Sequence, residues 1–383
     1  MMIPFEEFLP AIETVVQLFD KVNSLYLERL AEQMREIGDL IPSSVHTLDV
    51  MYKMGANVAE IKSKLADATK LGKRGVEKIL ERVSESAYAR PAAQGYIRDT
   101  SIPPEVNKRL QLFTATVARQ TSDALDNYSN TTVIDQSYKD AIDVASAAVA
   151  SGGSDYMKAI RHTLSDIGGA GVKVQYESGH RRRIDTAVRM NVTNATLQLQ
   201  QQSAFILADS LGTDAFEISA HKMSAPDHEP VQGHVLYRAE FDKMQSGMDF
   251  TDVDGRRYEG FRRPIREWNC SHMASPFDTK TGIRMYTDDE LEAYRKANHD
   301  GCTIDGKHYT IYEASQLMRQ IETEIRRQKD IRFTAQKAGD DELAKTALAR
   351  MKAFSARYTE VAKAAGLHEQ RERTMITVGD KQI

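Results

Sequence analysis

Two short segments, about forty residues apart, concentrate the side chains that could do chemistry. Residues 219–233 contain two histidines and an aspartate, and residues 268–272 contain a cysteine and a third histidine. The whole chain of 383 residues has only ten histidines, two cysteines and one tryptophan. Imidazole nitrogen and thiolate sulfur are both zinc ligands. The concentration therefore indicates either a bound metal or a cluster of polar groups joined by hydrogen bonds.

The four candidate metal ligands are His221, His228, Cys270 and His272. Cys270 and His272 would lie on one face of an extended segment because they are two positions apart. Pro226 argues against a continuous strand through the first two histidines, and the spacing matches no standard zinc-finger pattern. We therefore interpret the cluster as a hydrogen-bonded one without a cofactor, and keep bound zinc as the alternative.

In the hydrogen-bonded interpretation the neighbouring residues have structural roles. Asp227 caps a turn or holds a histidine tautomer, and Gln232 and Gly233 turn the chain. Trp268, with Asn269 beside it, anchors the second segment by burying its ring. Separate loops of this composition would leave polar groups and a large ring without partners. We therefore predict that the two segments lie side by side.

Catalysis is a second interpretation of the same residues. A thiol nucleophile at Cys270 would need His221 or His228 as its base, because a residue two positions away rarely forms the required hydrogen bond. The aspartate and histidine pairs would equally suit a metal-dependent hydrolase or nuclease. However, the sequence has no phosphate loop, no nucleophile elbow and no second carboxylate at a diagnostic spacing. We predict no enzymatic activity and no small-molecule substrate.

Dense basic runs are the remaining candidates for binding. They comprise Arg181, Arg182, Arg183, Arg256, Arg257, Arg262, Arg263 and Arg266. Tyr258, Phe261 and Trp268 are interleaved with the later arginines, so this group could contact phosphate and stack on bases. The alternative, which we favour, is an arginine surface that faces solvent or another protein.

Composition limits the class of protein. The chain has 51 basic and 55 acidic residues and a formal net charge of −4, which excludes a generally basic nucleic-acid coat but not a local basic face. Two cysteines cannot build a disulfide framework, which indicates a reducing compartment. The sequence shows neither a signal-peptide pattern nor an apolar run long enough to span a membrane. We expect a soluble protein, made in a cytoplasm, with no membrane contact.

The elements that must position these residues are mainly helical. Apolar residues recur at steps of three and four from Phe5 to Gly38, which indicates a long helix that stops at Gly38. Further helical stretches follow up to residue 150, with a proline-containing connector at 89–104. Another helix starts near Ser154 and is expected to break at Gly168 to Gly171.

A change of pattern after Gly212 predicts a small α+β module. Short segments alternate apolar and polar positions, with a turn at Asp254 and Gly255, but they lack the strand and helix alternation of a doubly wound sheet. Two apolar stripes after residue 311 predict a helical hairpin, and Glu322 is spaced for an ion pair with Arg326. The predicted fold is α+β and mostly helical. Its domains are a multi-helix region (1–172), a mixed module (173–310) and a helical tail (311–383).

Several separated motifs occur in a characteristic order. They are the basic run Tyr176–Asp185, the glutamine-rich helix through Gln198–Ser203, the Ser-Ala-His, Pro-Asp-His and Gln-Gly elements, the Asn-Cys-Ser-His segment and the tail helix around Arg319–Arg326. Together, over roughly residues 173–375, they resemble the phage minor capsid protein family, which is related to the Mu-type head-morphogenesis domain. The family usually has arginine after Asn-Cys, where this chain has Ser271.

The resemblance implies a structural protein of a tailed phage, at the portal vertex or just inside the head. It would be present in few copies and act in head assembly and in genome retention or delivery. The implied partners are the portal protein, the major capsid protein and other copies of the chain, with packaged double-stranded DNA as a further candidate. The implied location is the virion head, after synthesis in the host cytoplasm. The alternatives are a virion-carried metal-dependent hydrolase or nuclease, and a non-catalytic DNA-binding internal head protein.

Overall fold

The computed structural model describes residues 5–38, 44–93, 103–150, 156–260, 263–266 and 270–383. This part of the chain contains ten α-helices: α1 (Leu9–Gly38), α2 (Ser44–Ala93), α3 (Pro104–Asn130), α4 (Ile134–Ala150), α5 (Tyr156–Ala170), α6 (Ile184–Leu211), α7 (Arg238–Gln245), α8 (Asp288–Asp300), α9 (Ile311–Ala338) and α10 (Asp341–Ala365). Its strands are β1 (Lys173–Gln175), β2 (Arg181–Arg183), β3 (Ala215–Ile218), β4 (Val235–Tyr237), β5 (Phe250–Thr251), β6 (Arg257–Tyr258), β7 (Ala274–Phe277), β8 (Cys302–Ile304), β9 (Lys307–Tyr309), β10 (Thr377–Val378) and β11 (Lys381–Gln382).

The predicted fold class, α+β and mostly helical, is confirmed. All the strands of the described residues are short and pair antiparallel. One three-stranded sheet has the order β4-β3-β7, and the other strands form two-stranded ladders. None of the helices in the described ranges is long and apolar enough to cross a membrane.

The chain divides into two compact units, each built from three separate stretches. The sheet unit consists of the described residues of Met1–Ile12, Arg74–Asp123 and Met190–Gln316. The helical unit consists of those of Glu13–Lys73, Ala124–Arg189 and Leu317–Ile383. The domain boundaries at 172 and 310 stay a prediction.

The core of the sheet unit lies between α6 and the three-stranded sheet. All four residues of β3 are buried because this strand has neighbours on both sides. Phe205 of α6 packs edge to face on Phe216 of β3, with ring centroids 4.8 Å apart. The same apolar cluster includes Leu236, Phe241 and Phe250. This core fixes the ends of the strands from which the His/Cys segments extend.

A buried glutamine of α6 completes the pairing of β7. The Gln201 side chain donates to the Ala274 carbonyl at 3.0 Å and accepts from the Ala274 N–H at 2.9 Å. Both backbone groups of Ala274 are buried at the edge of the sheet, so the amide supplies the bonds that another strand would make. The glutamine-rich stretch therefore positions β7 and the segment that precedes it.

Glycines in α5 allow close helix packing in the helical unit. A Cβ atom at Gly168 would lie 3.0 Å from the Cα atom of Ile331, so a side chain there would push the two helices slightly apart. The break expected over Gly168 to Gly171 falls at the end of that segment, because α5 continues to Ala170. The helix ends before Gly171, whose φ of +61° suits glycine.

The predicted C-terminal helical hairpin is confirmed. The Asp340 side chain caps α10 by accepting from the Leu343 N–H at 2.9 Å, and Gly366 ends the helix in the left-handed conformation. The ion pair predicted between Glu322 and Arg326 is wrong. Arg326 donates to Asp185 at 2.6 Å, whereas Glu322 binds Arg319 and the Tyr358 hydroxyl.

Candidate functional site

The His/Cys cluster forms where β3 ends and β7 begins. These strands pair antiparallel with Ile218 opposite Ala274, so the segment after β3 runs beside the segment before β7. Ser219 binds Met273 in both directions: its N–H donates to the Met273 carbonyl at 2.8 Å, and its hydroxyl accepts from the Met273 N–H at 2.9 Å. The structure thus places the two segments side by side, as predicted.

Cys270 lies at the centre of the cluster. Its sulfur is 3.3 Å from Nδ1 of His228 and 3.4 Å from Nδ1 of His272. The His221 ring stacks on the His272 ring with centroids 4.3 Å apart. Although a residue two positions away rarely forms a hydrogen bond to a thiol, His272 lies within hydrogen-bond distance of Cys270. All four candidate ligands come together, and the exposed fraction is only 6% for Cys270 and 1% for His228 and His272.

Hydrogen bonds on the outer side of the rings fix the histidine tautomers. Nε2 of His228 lies 2.7 Å from the Arg263 carbonyl, which can only accept, so this nitrogen carries the hydrogen. Nε2 of His272 lies 3.2 Å from Oε1 of Gln232 and 3.4 Å from the Ser224 hydroxyl. Because Oε1 of Gln232 can only accept, as it does from the His221 backbone N–H at 2.7 Å, Nε2 of His272 donates to it. Both Nδ1 atoms therefore present a lone pair to the sulfur.

Asp227 has a different partner from the one predicted. Its carboxylate accepts from the Arg263 side chain at 2.9 Å and stays 3.7 Å from Nε2 of His228. The Arg263 carbonyl, which is closer, holds the tautomer. Gly233 turns the chain as expected: its φ is +71°, and a Cβ there would come within 2.5 Å of the Leu291 side chain. Trp268 and Asn269 lie outside the described residues.

Burial keeps the side chains of the cluster uncharged in the absence of a cation. It lowers the pKa of His221 to about 4 and lowers the pKa values of His228 and His272. It also raises the pKa of the Cys270 thiol, against the opposing effect of backbone N–H groups of Arg266 and His272 that point at the sulfur. A buried thiol of raised pKa is a poor nucleophile. The ligand atoms of Cys270, His228 and His272 lie within 4.8 Å of one another, which suits a metal ion.

The predicted arginine contacts differ in their exposure. Those that are exposed or partly exposed are Arg181, Arg182, Arg256, Arg257 and Arg263. Arg262 lies outside the described residues. Arg266 is only 5% exposed and the Arg183 side chain only 12% exposed, so these two arginines have little surface for the predicted partner or DNA contact. Both are surrounded by groups of their own unit.

Arg266 crosslinks the backbone of the sheet unit. Its guanidinium donates to the carbonyls of Leu197 and Ser271 at 3.2 and 3.3 Å and to the Gln200 side chain. Burial lowers the pKa of Arg266 to about 10, so it stays charged at neutral pH. The sequence alone did not predict roles for Gln200 and Gln201, because side-chain amides that bind buried backbone leave no periodic pattern.

A buried network of charges surrounds Arg183 in the helical unit. Arg183 binds Asp330 and Asp185, the latter at 3.1 Å, and lies 3.8 Å from Asp20. Arg326 binds Asp185 from the other side. Asp20 lies farther from Arg183 than Asp185 and Asp330 do, so it is the least well compensated of these three carboxylates. Burial, together with the charges of Asp185 and Asp330, raises the pKa of Asp20 to about 7.

This raised pKa predicts a stability that falls as pH rises. The folded state holds the Asp20 proton more tightly than the unfolded state, so protonated Asp20 stabilises the fold. This stabilisation is complete below pH 3.8, the pKa of the unfolded state, and is lost as the pH rises through about 7. Between about pH 5 and pH 8 the wild type should lose about 2–3 kcal/mol of unfolding free energy relative to Asp20→Asn, measured by urea titration.

Asp380→Asn is the control, because the Asp380 side chain is 99% exposed and pairs with Lys21 at the surface. Lys21 lowers the pKa of Asp380, so this carboxylate stays ionised across the same interval. Parallel stability curves for the wild type and Asp20→Asn would contradict the assignment of the titration to Asp20.

Comparison with known proteins identifies the class. The chain matches a family model described as phage minor capsid protein 2 over residues 6–361. The matched part includes most of the helices, the small antiparallel module and the buried His/Cys cluster. The chain belongs to this family, and it is a phage minor capsid protein. The match includes the N-terminal helices, upstream of the region where the sequence motifs show the resemblance. No curated protein and no solved structure matches the chain.

Proposed function

We propose that the protein is a structural component of a tailed-phage head that docks at or near the portal vertex, or just inside the head. In this role it acts in head assembly and in genome retention or delivery. The observation that carries the proposal is the match to the minor capsid family over residues 6–361. A capsid family acts by assembling with other virion proteins, so the mechanism is docking of preformed surfaces rather than turnover.

The state of the His/Cys cluster supports docking rather than catalysis. Its thiol and two of its imidazoles are almost completely buried, and the thiol pKa is raised. An enzyme nucleophile needs access to substrate and a lowered pKa. The residues that would form a thiol or metal-dependent active site are instead enclosed by the loops that they hold together.

The tip of the β5–β6 hairpin is the favoured partner surface. Arg256 and Arg257 are exposed there, and Asp249, Asp254 and Glu259 are exposed in the same hairpin. Alternating charges of both signs weaken the attraction for a phosphate backbone, whereas they allow specific pairing with a protein surface. We therefore favour a virion protein over packaged DNA as the partner of this hairpin.

The double variant Arg256→Ala with Arg257→Ala separates these partners. If the hairpin binds protein, the variant should enter particles several-fold less efficiently than the wild type and keep the same DNA affinity, because arginines in interfaces supply bidentate bonds to acidic residues. Quantitative mass spectrometry of purified particles and a salt titration of DNA binding measure the two effects.

A matched control is Arg295→Ala with Lys296→Ala, which removes the same charge from the exposed face of α8. It should enter particles normally. The hairpin would instead bind DNA if the variant entered particles like the wild type and its DNA binding became less sensitive to salt. The slope of log affinity against log salt concentration should then become shallower by up to about two units.

Crosslinking in intact heads tests the proposed location. Lysine crosslinks from this chain should reach the portal protein or the inner surface of the shell near it. Crosslinks confined to shell subunits distributed over the whole head would contradict a position at the portal vertex.

A further inference from the structure

We propose that Cys270, His228 and His272 bind a structural zinc ion and that His221 supplies the fourth ligand. This goes beyond the assembly function and does not depend on it. It also replaces the interpretation preferred from the sequence, in which hydrogen bonds alone hold the cluster.

The distances within the cluster match tetrahedral coordination. With bonds of about 2.3 Å to sulfur and about 2.0 Å to nitrogen, tetrahedral angles place the two ligand atoms roughly 3.5 Å apart. The Cys270 sulfur lies 3.3 Å from Nδ1 of His228 and 3.4 Å from Nδ1 of His272. A cation can therefore bind between these atoms with only small movements of the side chains.

With these histidine tautomers, hydrogen bonds alone cannot satisfy both ring nitrogens that face the Cys270 sulfur. Both Nδ1 atoms present lone pairs to the sulfur, because both Nε2 atoms donate to oxygen acceptors. A thiol has one hydrogen and can donate it to only one of the two rings. The second ring then directs a lone pair at the sulfur lone pairs, which is repulsive. A zinc ion removes the conflict, because it accepts both nitrogen lone pairs and a thiolate lone pair.

Burial disfavours the Cys270 thiolate in the free cluster, but groups around the sulfur would stabilise a thiolate that is bound to zinc. Backbone N–H groups of Arg266 and His272 point at the Cys270 sulfur, and the buried guanidinium of Arg266 adds a favourable positive charge. Carbonyl and amide oxygens on the far side of the histidines orient the rings, as is usual for histidine ligands of zinc. Binding would release the thiol proton to solvent and leave the neutral imidazoles as ligands.

His221 is positioned for the fourth coordination bond. Both of its ring nitrogens are buried, and neither has a hydrogen-bond partner. Leaving such nitrogens unpaired is costly unless another group binds one of them. The His221 ring stacks on the His272 ring with centroids 4.3 Å apart, so it lies beside the three other ligands. Four protein ligands close the coordination sphere, which is typical of a structural zinc and leaves no position for substrate.

Metal analysis of the full-length protein tests the proposal. Protein purified without chelator should contain one equivalent of zinc, and its removal should lower the melting temperature by about 5 °C or more, because the ion binds the folded state. Apo protein titrated with cobalt(II) should develop the intense visible bands of a tetrahedral site and a thiolate charge-transfer band. The proposal fails if the wild type holds no zinc and cobalt(II) produces neither spectral feature.

Variants assign the ligands. Cys270→Ser should lose the charge-transfer band and bind zinc at least tenfold more weakly, whereas Cys302→Ser, at the chain's other buried cysteine, should bind like the wild type. His221→Ala should also weaken binding at least tenfold, and unchanged affinity would overturn His221 as the fourth ligand. Should Cys270→Ser fail to fold, the cobalt spectrum of the wild type decides whether a thiolate site exists.

Discussion

Arg183→Met should lower the free energy of unfolding by about 3–5 kcal/mol. Arg183 is the central cation of the buried network, between Asp185 and Asp330. A methionine fills much of the same volume but removes the ion-pair partner that Asp330 and Asp185 share, and leaves Arg326 paired with Asp185. Removing one partner from a buried ion network leaves uncompensated charge, which is among the most destabilising single changes. Urea unfolding followed by circular dichroism measures the loss.

Arg181→Met provides the matched control for this prediction. Arg181 lies two positions earlier in β2, is exposed, and contacts only the Gln175 side chain in the described part of the chain. Its replacement should change stability by no more than about 0.5 kcal/mol. Equal effects of the two substitutions would show that the network does not stabilise the fold.

Arg266→Ala should lower the free energy of unfolding by about 2–4 kcal/mol. The substitution removes the donor that now binds the Leu197 carbonyl on α6, the partly buried Ser271 carbonyl and the Gln200 side chain. Each buried acceptor that loses its partner costs about 1–3 kcal/mol, and the individual costs overlap because the groups are neighbours. Chemical unfolding at neutral pH, where Arg266 is charged, gives the value.

Arg263→Ala is the control from the same arginine run. The Arg263 side chain is partly exposed and forms one surface ion pair, with Asp227, while its carbonyl contact to His228 is retained in the variant. A surface pair contributes about 0–1 kcal/mol, so the variant should be close to wild type. If Arg263→Ala proved as destabilising as Arg266→Ala, burial would not explain why Arg266 contributes more to stability than Arg263.

Local patterns are sufficient to predict most elements of this fold. The apolar repeat from Phe5 to Gly38 gives α1, and the turn and cap residues at Gly339 and Asp340 give the hairpin of α9 and α10, because both depend on neighbours in sequence. The juxtaposition of the His/Cys segments could also be predicted, since their polar groups and large ring need partners. The family motifs supplied the class of protein.

The contacts that decide the role of each charged residue could not be predicted in this way. Helical spacing pairs Glu322 with Arg326, but Arg326 binds Asp185, which is 141 positions away in the chain. The burial of Arg183 depends on Asp20 and Asp330, and neither is near it in sequence. An ion pair between residues four positions apart on a helix contributes only about 0.2–0.5 kcal/mol. Leaving a buried charge without a partner costs more, so the buried pairs determine the contacts.

The histidine tautomers of the candidate site also depend on contacts that local sequence patterns do not predict. The Arg263 carbonyl and the Gln232 side chain determine which nitrogen of each ring faces Cys270. Residue types and spacing identify the four candidate ligands but not the direction of their lone pairs. That direction is what distinguishes a zinc site from a hydrogen-bonded cluster.

The protein composition of purified phage heads tests the structural role most directly. Quantitative mass spectrometry against labelled peptides should find this chain in every preparation of intact heads, in a fixed number of copies far below that of the major shell protein. Loss of the chain after gradient purification, with heads that remain intact and filled, would contradict a role as a minor capsid component.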